Sequence, residues 1–218
     1  MKTPWTDSVD INAPLPEYPR PQMARRSWLN LNGPWLYAFT DSSRRPAEYD
    51  GEITVPFSPE TELSGVGRAL KRGEYLWYCR EVEIPAEFSG KRLLLHFGAV
   101  DQCAAVWVNS TQVARHTGGY LPFEADITDA VEDGYAQITV RVTDDTDRSF
   151  QSRGKQSSKR GGIWYTPQSG IWQTVWLEAV PETYVRSLRI TPDIDKAVVT
   201  VEADVRGDEQ AYAHFDGQ

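Results

Sequence analysis

"QITVRVTDD", residues 137–145, is the stretch that decides the fold. Ile138, Val140 and Val142 alternate with Thr139 and Arg141. A side-chain period of two belongs to a strand, because successive residues of an extended chain point to opposite faces. One apolar face against a core and one face toward water is the habit of an antiparallel sheet.

Outward from that stretch the same signal repeats. "WLNLNGPWLYAF" (28–39), "YLWYCREVEIP" (75–85) and "KRLLLHFGAV" (91–100) are short apolar or alternating runs bounded by Gly, Pro, Asn or Asp. "CAAVWVNSTQVARH" (103–116) reads as a hairpin with Asn109 and Ser110 in its turn. Helical periodicity is confined to one turn at "PAEFSG" (85–90). Strands in series without helices between them make antiparallel layers, so the expected class is all-β, a jelly-roll β-sandwich.

Three regions are expected. Residues 1–27 are proline-rich and read as an extended arm lying over a surface; residues 28–181 carry the sandwich; residues 182–218 begin something new. In this last region Val199, Val201, Ala203 and Val205 alternate with Thr200, Glu202 and Asp204. Two strands alone would leave a bare edge and apolar face, so the chain is expected to stop inside a second domain.

A net charge of −8 over 218 residues argues against nucleic acid and anionic membrane as partners. No apolar run has the length of a membrane span, and Pro and Asp stand where a secretory leader would have its apolar core, so a cytoplasmic location is expected. Cys79 and Cys103 lack metal-ligand spacing and read as reduced, buried thiols. His96, His116 and His214 are scattered; they suggest no metal site, no cofactor and no Ser-His-Asp triad, and His96 reads as a hydrogen-bonded packing residue. Glu124 and Asp126 would share a strand face, but as a solvated edge; no catalytic carboxylate pair is nominated.

The eight tryptophans are in excess, and three fall in "GGIWYTPQSGIWQTVWLE" (161–178). "GIWQTVWLE" reads as the last strand of the sandwich, with Ile171, Val175 and Leu177 on one face and Trp172 and Trp176 on the other. Two-sided burial is favoured for that tryptophan pair over a sugar-stacking platform. Before it runs "DDTDRSFQSRGKQSSKRGG" (144–162), a polar loop without an apolar stripe; loops so long in compact domains are functional or disordered.

"GAVD" (98–101), "VWVN" (106–109), "HTGGYLPFEADIT" (116–128) and "SGIWQTVWLE" (169–178), with "LNGPW" (31–35) and "WYCREVEIP" (77–85), resemble the amino-terminal sugar-binding domain of the family 2 glycoside hydrolases. That family includes β-galactosidases and β-glucuronidases. The likeness covers about residues 25–180 in the expected order, and the block around Gly118 and Gly119 is nearest to the β-glucuronidase branch. It implies a galactose-binding-domain-like jelly roll, then an immunoglobulin-like sandwich opened by the strands after Pro181, then a (β/α)8 barrel. In the family both catalytic glutamates lie in the barrel, so this chain holds no catalytic residue, and the intact enzyme would cleave a carbohydrate substrate with retention. The long loop reaches over the barrel mouth, which makes Arg153, Gln156, Trp164 and Tyr165 the candidates for the substrate rim.

The family places an Asp six residues before the glycine that is Gly170 here; this chain has Trp164, exchanging a charged acceptor for a stacking surface. Gly118 and Gly119 are expected at positive φ. Asp126 and Thr128 should satisfy local backbone donors. Ser110 after Asn109 points to a hairpin loop longer than two residues. A homo-oligomer of the intact enzyme is implied. A free-standing carbohydrate-binding module and a structural or oligomerisation domain are the alternative functions.

Overall fold

The computed structural model describes residues 4–148 and 150–208. The described residues form an all-β structure. In chain order the strands are β1 (Trp28–Asn30), β2 (Gly33–Thr40), β3 (Gly51–Val55), β4 (Tyr75–Glu83), β5 (Arg92–Phe97), β6 (Val100–Asp101) and β7 (Cys103–Val108). There follow β8 (Thr111–Thr117), β9 (Phe123–Asp126), β10 (Tyr135–Thr143), β11 (Gly170–Ile171), β12 (Val175–Val180), β13 (Tyr184–Asp193) and β14 (Val198–Arg206).

Two antiparallel layers make the sandwich. One has the order β1-β12-β5-β9 and the other β3-β2-β4-β10-β7-β8, with β11 and β6 pairing at one end. The inward residues of both layers close one core: Trp35, Tyr78, Ile138, Val140 and Val142 from the six-stranded layer meet Leu93, Leu95, Phe97, Val175 and Leu177 from the other. The helical turn foreseen at residues 85–90 is a single 3₁₀ turn, Ala86–Phe88.

The outer face of β10 is not wet along its whole length. Thr139 is 1 % exposed and sits across from Trp107 and Cys79 in the ladders. Trp77 and Trp107 stack at 5.8 Å, and the Arg141 guanidinium lies 5.7 and 5.5 Å over their rings. Large aromatics on the neighbouring strands thus roof a position that alternation alone assigns to solvent. Cys79 is buried, while Cys103 is only half-buried; both are free.

The hairpin loop between β7 and β8 has two residues, not more, since Val108 pairs with Thr111. Asn109 takes φ 52°, and an irregularity between Val106 and Trp107 absorbs the register change further down the ladder. The Asn109 side chain donates to Ala130 O (2.7 Å) and accepts from Gln137 N (2.9 Å), which fixes the turn onto β10.

"GIWQTVWLE" is not one strand. It leaves the ladder after Ile171 and re-enters at Val175. Trp176 is buried, stacked on His96 at 4.7 Å, whereas Trp172 is only half-buried in the break. The cover over Trp176 comes from the amino-terminal arm: Tyr18, Arg20 and Arg25 all reach the buried Glu178 carboxylate, and Asn30 and Asn32 side chains hold Leu15 O (2.7 Å) and Pro14 O (3.1 Å). Beyond the sandwich, β13 and β14 form a long hairpin that exposes Ile190, Val199 and Val201.

Candidate functional site

The 26-residue connection from Asp144 to Ser169 crosses one end of the sandwich. Its polar residues bind one another, which is why it holds a shape without an apolar stripe. Asp147 accepts from Ser157 Oγ (2.9 Å) and Ser158 N (3.1 Å), and Asp144 accepts from Thr146 N (2.6 Å). Gly161 and Trp164 exchange two backbone bonds, 3.1 and 3.0 Å, across a tight turn with Gly162 at φ 58°. Tyr165 N then donates to Lys155 O (2.8 Å) and Ser157 N to Tyr165 O (3.1 Å), laying the two halves of the loop side by side. Glu60 anchors the far end, accepting from the backbone and hydroxyl of Ser169.

Beneath this loop opens a cleft of about 320 Å³ with Tyr120, Tyr165 and Trp172 as aromatic walls and Asp101, Gln156, Thr166 and Gln168 as polar lining. Gln156 is its hub. Its Oε1 accepts from Gln168 N (2.6 Å), which turns the amide NH₂ toward Tyr120 Oη (3.3 Å) and Asp101 Oδ2 (3.4 Å). Trp172 Nε1 donates to Gly119 O (2.7 Å), and the Tyr120 and Trp172 rings meet edge to face at 6.2 Å. Tyr165 stands 67 % exposed, its ring open to a ligand.

Asp101 forms the buried back of the cleft, 4 % exposed. Burial, then repulsion from Asp144 and Glu60, pushes its carboxyl up to about 7 against a weaker pull from the Gln156 hydrogen bond. Burial likewise raises Glu60 and Asp144. Gly119 is part of this arrangement for a reason other than the one expected. Gly118 does take positive φ (119°), but at Gly119 a Cβ would stand 2.5 Å from Asp101 Oδ1, so close approach excludes a side chain there.

Of the four residues named from sequence, Gln156 and Tyr165 line the cleft. Arg153 is half-buried in the same loop, its carbonyl accepting from Gln156 N (3.3 Å), and Trp164 sits 41 % exposed on the Gly161 turn; neither lines the cleft. Sequence reasoning passed over Asp101, Tyr120 and Trp172. The available signal was an aspartate interrupting the apolar run "FGAVDQCAAVWV".

His96, His116, Glu124 and Asp126 do not line this cleft. His96 is stacked on Trp176, with Nδ1 3.4 Å from Glu124 and Nε2 3.3 Å from Glu178, the latter not aligned as a hydrogen bond. His116 stacks on Phe123 at 4.5 Å; His214 lies outside the described residues. Glu124 and Asp126 are ion-paired rather than simply solvated, with Arg186 (2.7 Å) and Arg92. Asp126 also accepts from Thr128 N (3.1 Å), and Thr128 Oγ1 accepts from Leu93 N (2.9 Å). Among the described residues no group of three or more His, Cys, Asp or Glu is placed to hold a metal, and no helix is long and apolar enough to cross a membrane.

Comparison with known proteins gives a consistent result. The model of the glycosyl hydrolases family 2 sugar binding domain matches residues 69–181, a segment that contains every residue lining the cleft. The β-glucuronidase of Canis lupus familiaris is 27% identical over 94% of this chain and 36% of its own length. The β-galactosidase of Thermoanaerobacter pseudethanolicus is 27% identical over 77% of this chain and 23% of its own. The chain therefore spans about a third or less of these relatives. A solved β-glucuronidase from Ruminococcus gnavus superposes with a TM-score of 0.68 at 22% identity, covering 88% of this chain and 35% of that one. One from an uncultured Clostridium superposes at 0.60 with 26% identity, covering 84% and 35%.

Proposed function

Because the chain belongs to family 2 of the glycosyl hydrolases through their sugar binding domain, we propose that it is the non-catalytic amino-terminal part of a glycosidase. The intact enzyme hydrolyses O-glycosyl bonds of β-galactoside- or β-glucuronide-like substrates with retention, using two carboxyl groups about 5 Å apart that lie outside this chain. Residues 144–169 border the substrate, with Gln156 and Tyr165 reaching it first and Arg153 and Trp164 on the outer rim. One observation carries this reading: the loop, the aromatic walls and the hydrogen-bonding groups converge on one cleft inside the matched segment. Aromatic faces with a few placed polar groups are what a sugar ring requires.

The hairpin β13–β14 is read as the opening of an immunoglobulin-like domain, residues 1–27 as the arm, and 28–181 as the sugar-binding domain. A cytoplasmic setting is supported by two unpaired thiols, and a homo-oligomer of the intact enzyme completes the proposal. The test is to express the protein encoded through and beyond Gln218, and assay it beside the 218-residue chain on aryl glycosides. Hydrolysis by the longer protein alone is expected, with KM raised in Tyr165→Ala. Turnover by the 218-residue chain, or a reading frame without a barrel, overturns the proposal.

A further inference from the structure

The outer face of the six-stranded layer holds another cavity, of about 280 Å³, which shares no lining residue with the Asp101 cleft. Trp77 and Trp107 are its aromatic walls and Thr139 its floor. Ser43 and Arg45 from the β2–β3 connection and Asn109 and Ser110 from the β7–β8 turn complete it.

Unused hydrogen-bonding groups distinguish this cavity from a packing defect. Thr139 is 1 % exposed, and its Oγ1 is buried with no partner among the described residues. A buried hydroxyl left unpaired is uncommon in a folded chain and calls for a group to meet it. The hydroxyls of Ser43 and Ser110 and the Trp107 indole N–H likewise make no hydrogen bond among the described residues. The Trp77 indole, in contrast, is taken up by Thr40 Oγ1 (3.1 Å), and the Asn109 amide by Ala130 O and Gln137 N. Gln137 Oε1 steadies the Arg45 guanidinium beside the cavity.

These groups set the chemistry of the occupant. A hydroxyl both donates and accepts, so three of them beside an indole suit the hydroxyls and the apolar C–H face of a sugar ring. Trp107, half-buried, is the stacking surface, and Trp77, 2 % exposed, backs it at 5.8 Å. Arg141 lies over both rings but is not among the walls of the cavity. The volume falls just below the roughly 300–1,000 Å³ usual for drug-sized ligands, which limits the occupant to a single ring. A flat aromatic molecule would fill the space and leave the hydroxyls unmet.

We infer that the Trp77–Trp107–Thr139 cavity is a second sugar-binding site, taking one pyranose ring against Trp107 with a sugar hydroxyl on Thr139 Oγ1. The inference does not rest on the loop cleft, and either site can fail while the other stands.

The test titrates methyl β-D-glucopyranoside, methyl β-D-galactopyranoside and phenol separately into the ¹⁵N-labelled 218-residue chain. The Trp107 indole N–H and the Ser110 amide report this cavity, and the Trp172 indole reports the other cleft. At least one glycoside is expected to shift the Trp107 and Ser110 signals saturably at millimolar concentration. Thr139→Val removes the hydroxyl at nearly constant shape and should weaken that glycoside about fivefold, while Thr139→Ser retains the hydroxyl and should bind within about twofold of wild type. Ser110→Ala, at an exposed turn position, should weaken it about twofold or more. Shifts confined to the Trp172 indole, saturation by phenol with neither glycoside, or no shift with any ligand would each overturn the inference. So would equal losses in Thr139→Val and Thr139→Ser, or affinity unchanged in a folded Thr139→Val or, should that variant not fold, in Ser110→Ala.

Discussion

Glu178→Ala removes a buried carboxylate that holds the amino-terminal arm on the sandwich. Glu178 is 0 % exposed; Arg25 Nε lies 2.9 Å from Oε2, Trp176 Nε1 donates to Oε1 at 3.1 Å, and Arg20 and Tyr18 share Oε1. Burial alone would raise its pKa, yet the His96, Tyr18 and Arg20 contacts outweigh burial and hold the carboxyl well below the usual glutamate range. The variant leaves two guanidiniums, 24% and 16% exposed, facing a hole without a counter-ion. Breaking a buried pair from one side costs about 3–5 kcal/mol. In a chain of this size that is a fall in Tm on the order of 10 °C. Circular dichroism melts at pH 7 measure it, and trypsin should cut the released arm at Arg25 and Arg26. The sign with pH follows from the depressed folded pKa. The contribution is present above about pH 4.3, the unfolded value, and is lost as pH falls below it. Wild-type and variant melting curves should therefore converge in acid. A loss below about 1 kcal/mol at pH 7, or a gap that persists in acid, refutes the reasoning.

Asp101 should behave oppositely. Its folded carboxyl is up to about 7, so its contribution is complete below the unfolded value near 3.9 and is lost as pH rises through the window up to about 7. Asp101→Asn should be more stable than wild type at pH 8, by up to roughly 4 kcal/mol, and show no gain at pH 4; parallel urea curves at the two pH values would sink this. Gly119→Ala, pressed on the Asp101 carboxylate, should cost about 1–3 kcal/mol by overpacking. In an Asp101→Ala background that cost should fall by about 1 kcal/mol or more, and an additive double-mutant cycle would contradict the contact. Thr139 Oγ1 is buried without a partner among the described residues, so Thr139→Val should be neutral or stabilising by roughly 1 kcal/mol in urea unfolding. A clear destabilisation there would mean the hydroxyl is satisfied.

The layers were legible because alternation reports a local fact, which side of an extended chain is apolar. "QITVRVTDD", "YLWYCREVEIP" and "CAAVWVNSTQVARH" all lie where that period places strands. The errors share one cause. Thr139, Trp172 and Gly119 are governed by groups distant in sequence: the Trp77–Trp107–Arg141 roof, the break between β11 and β12, and the Asp101 carboxylate. Gln156 and Tyr165 were within reach because they sit in a loop too long and polar to be mere connection, but nothing local linked that loop to Asp101.

The sequence by itself determined that the chain builds antiparallel layers, that it carries family 2 sugar-binding motifs in order, and that residues 144–162 stand apart from the core. Only the tertiary structure decided that Asp101, Tyr120 and Trp172 meet Gln156 and Tyr165, and that the arm seals Trp176. Periodicity is set by neighbours one and two residues away, whereas a cleft is set by packing between segments up to 71 positions apart, from Asp101 to Trp172 (172 − 101). Burial and charge there, including the rise of the Asp101 carboxyl to about 7, do not exist until those segments come together.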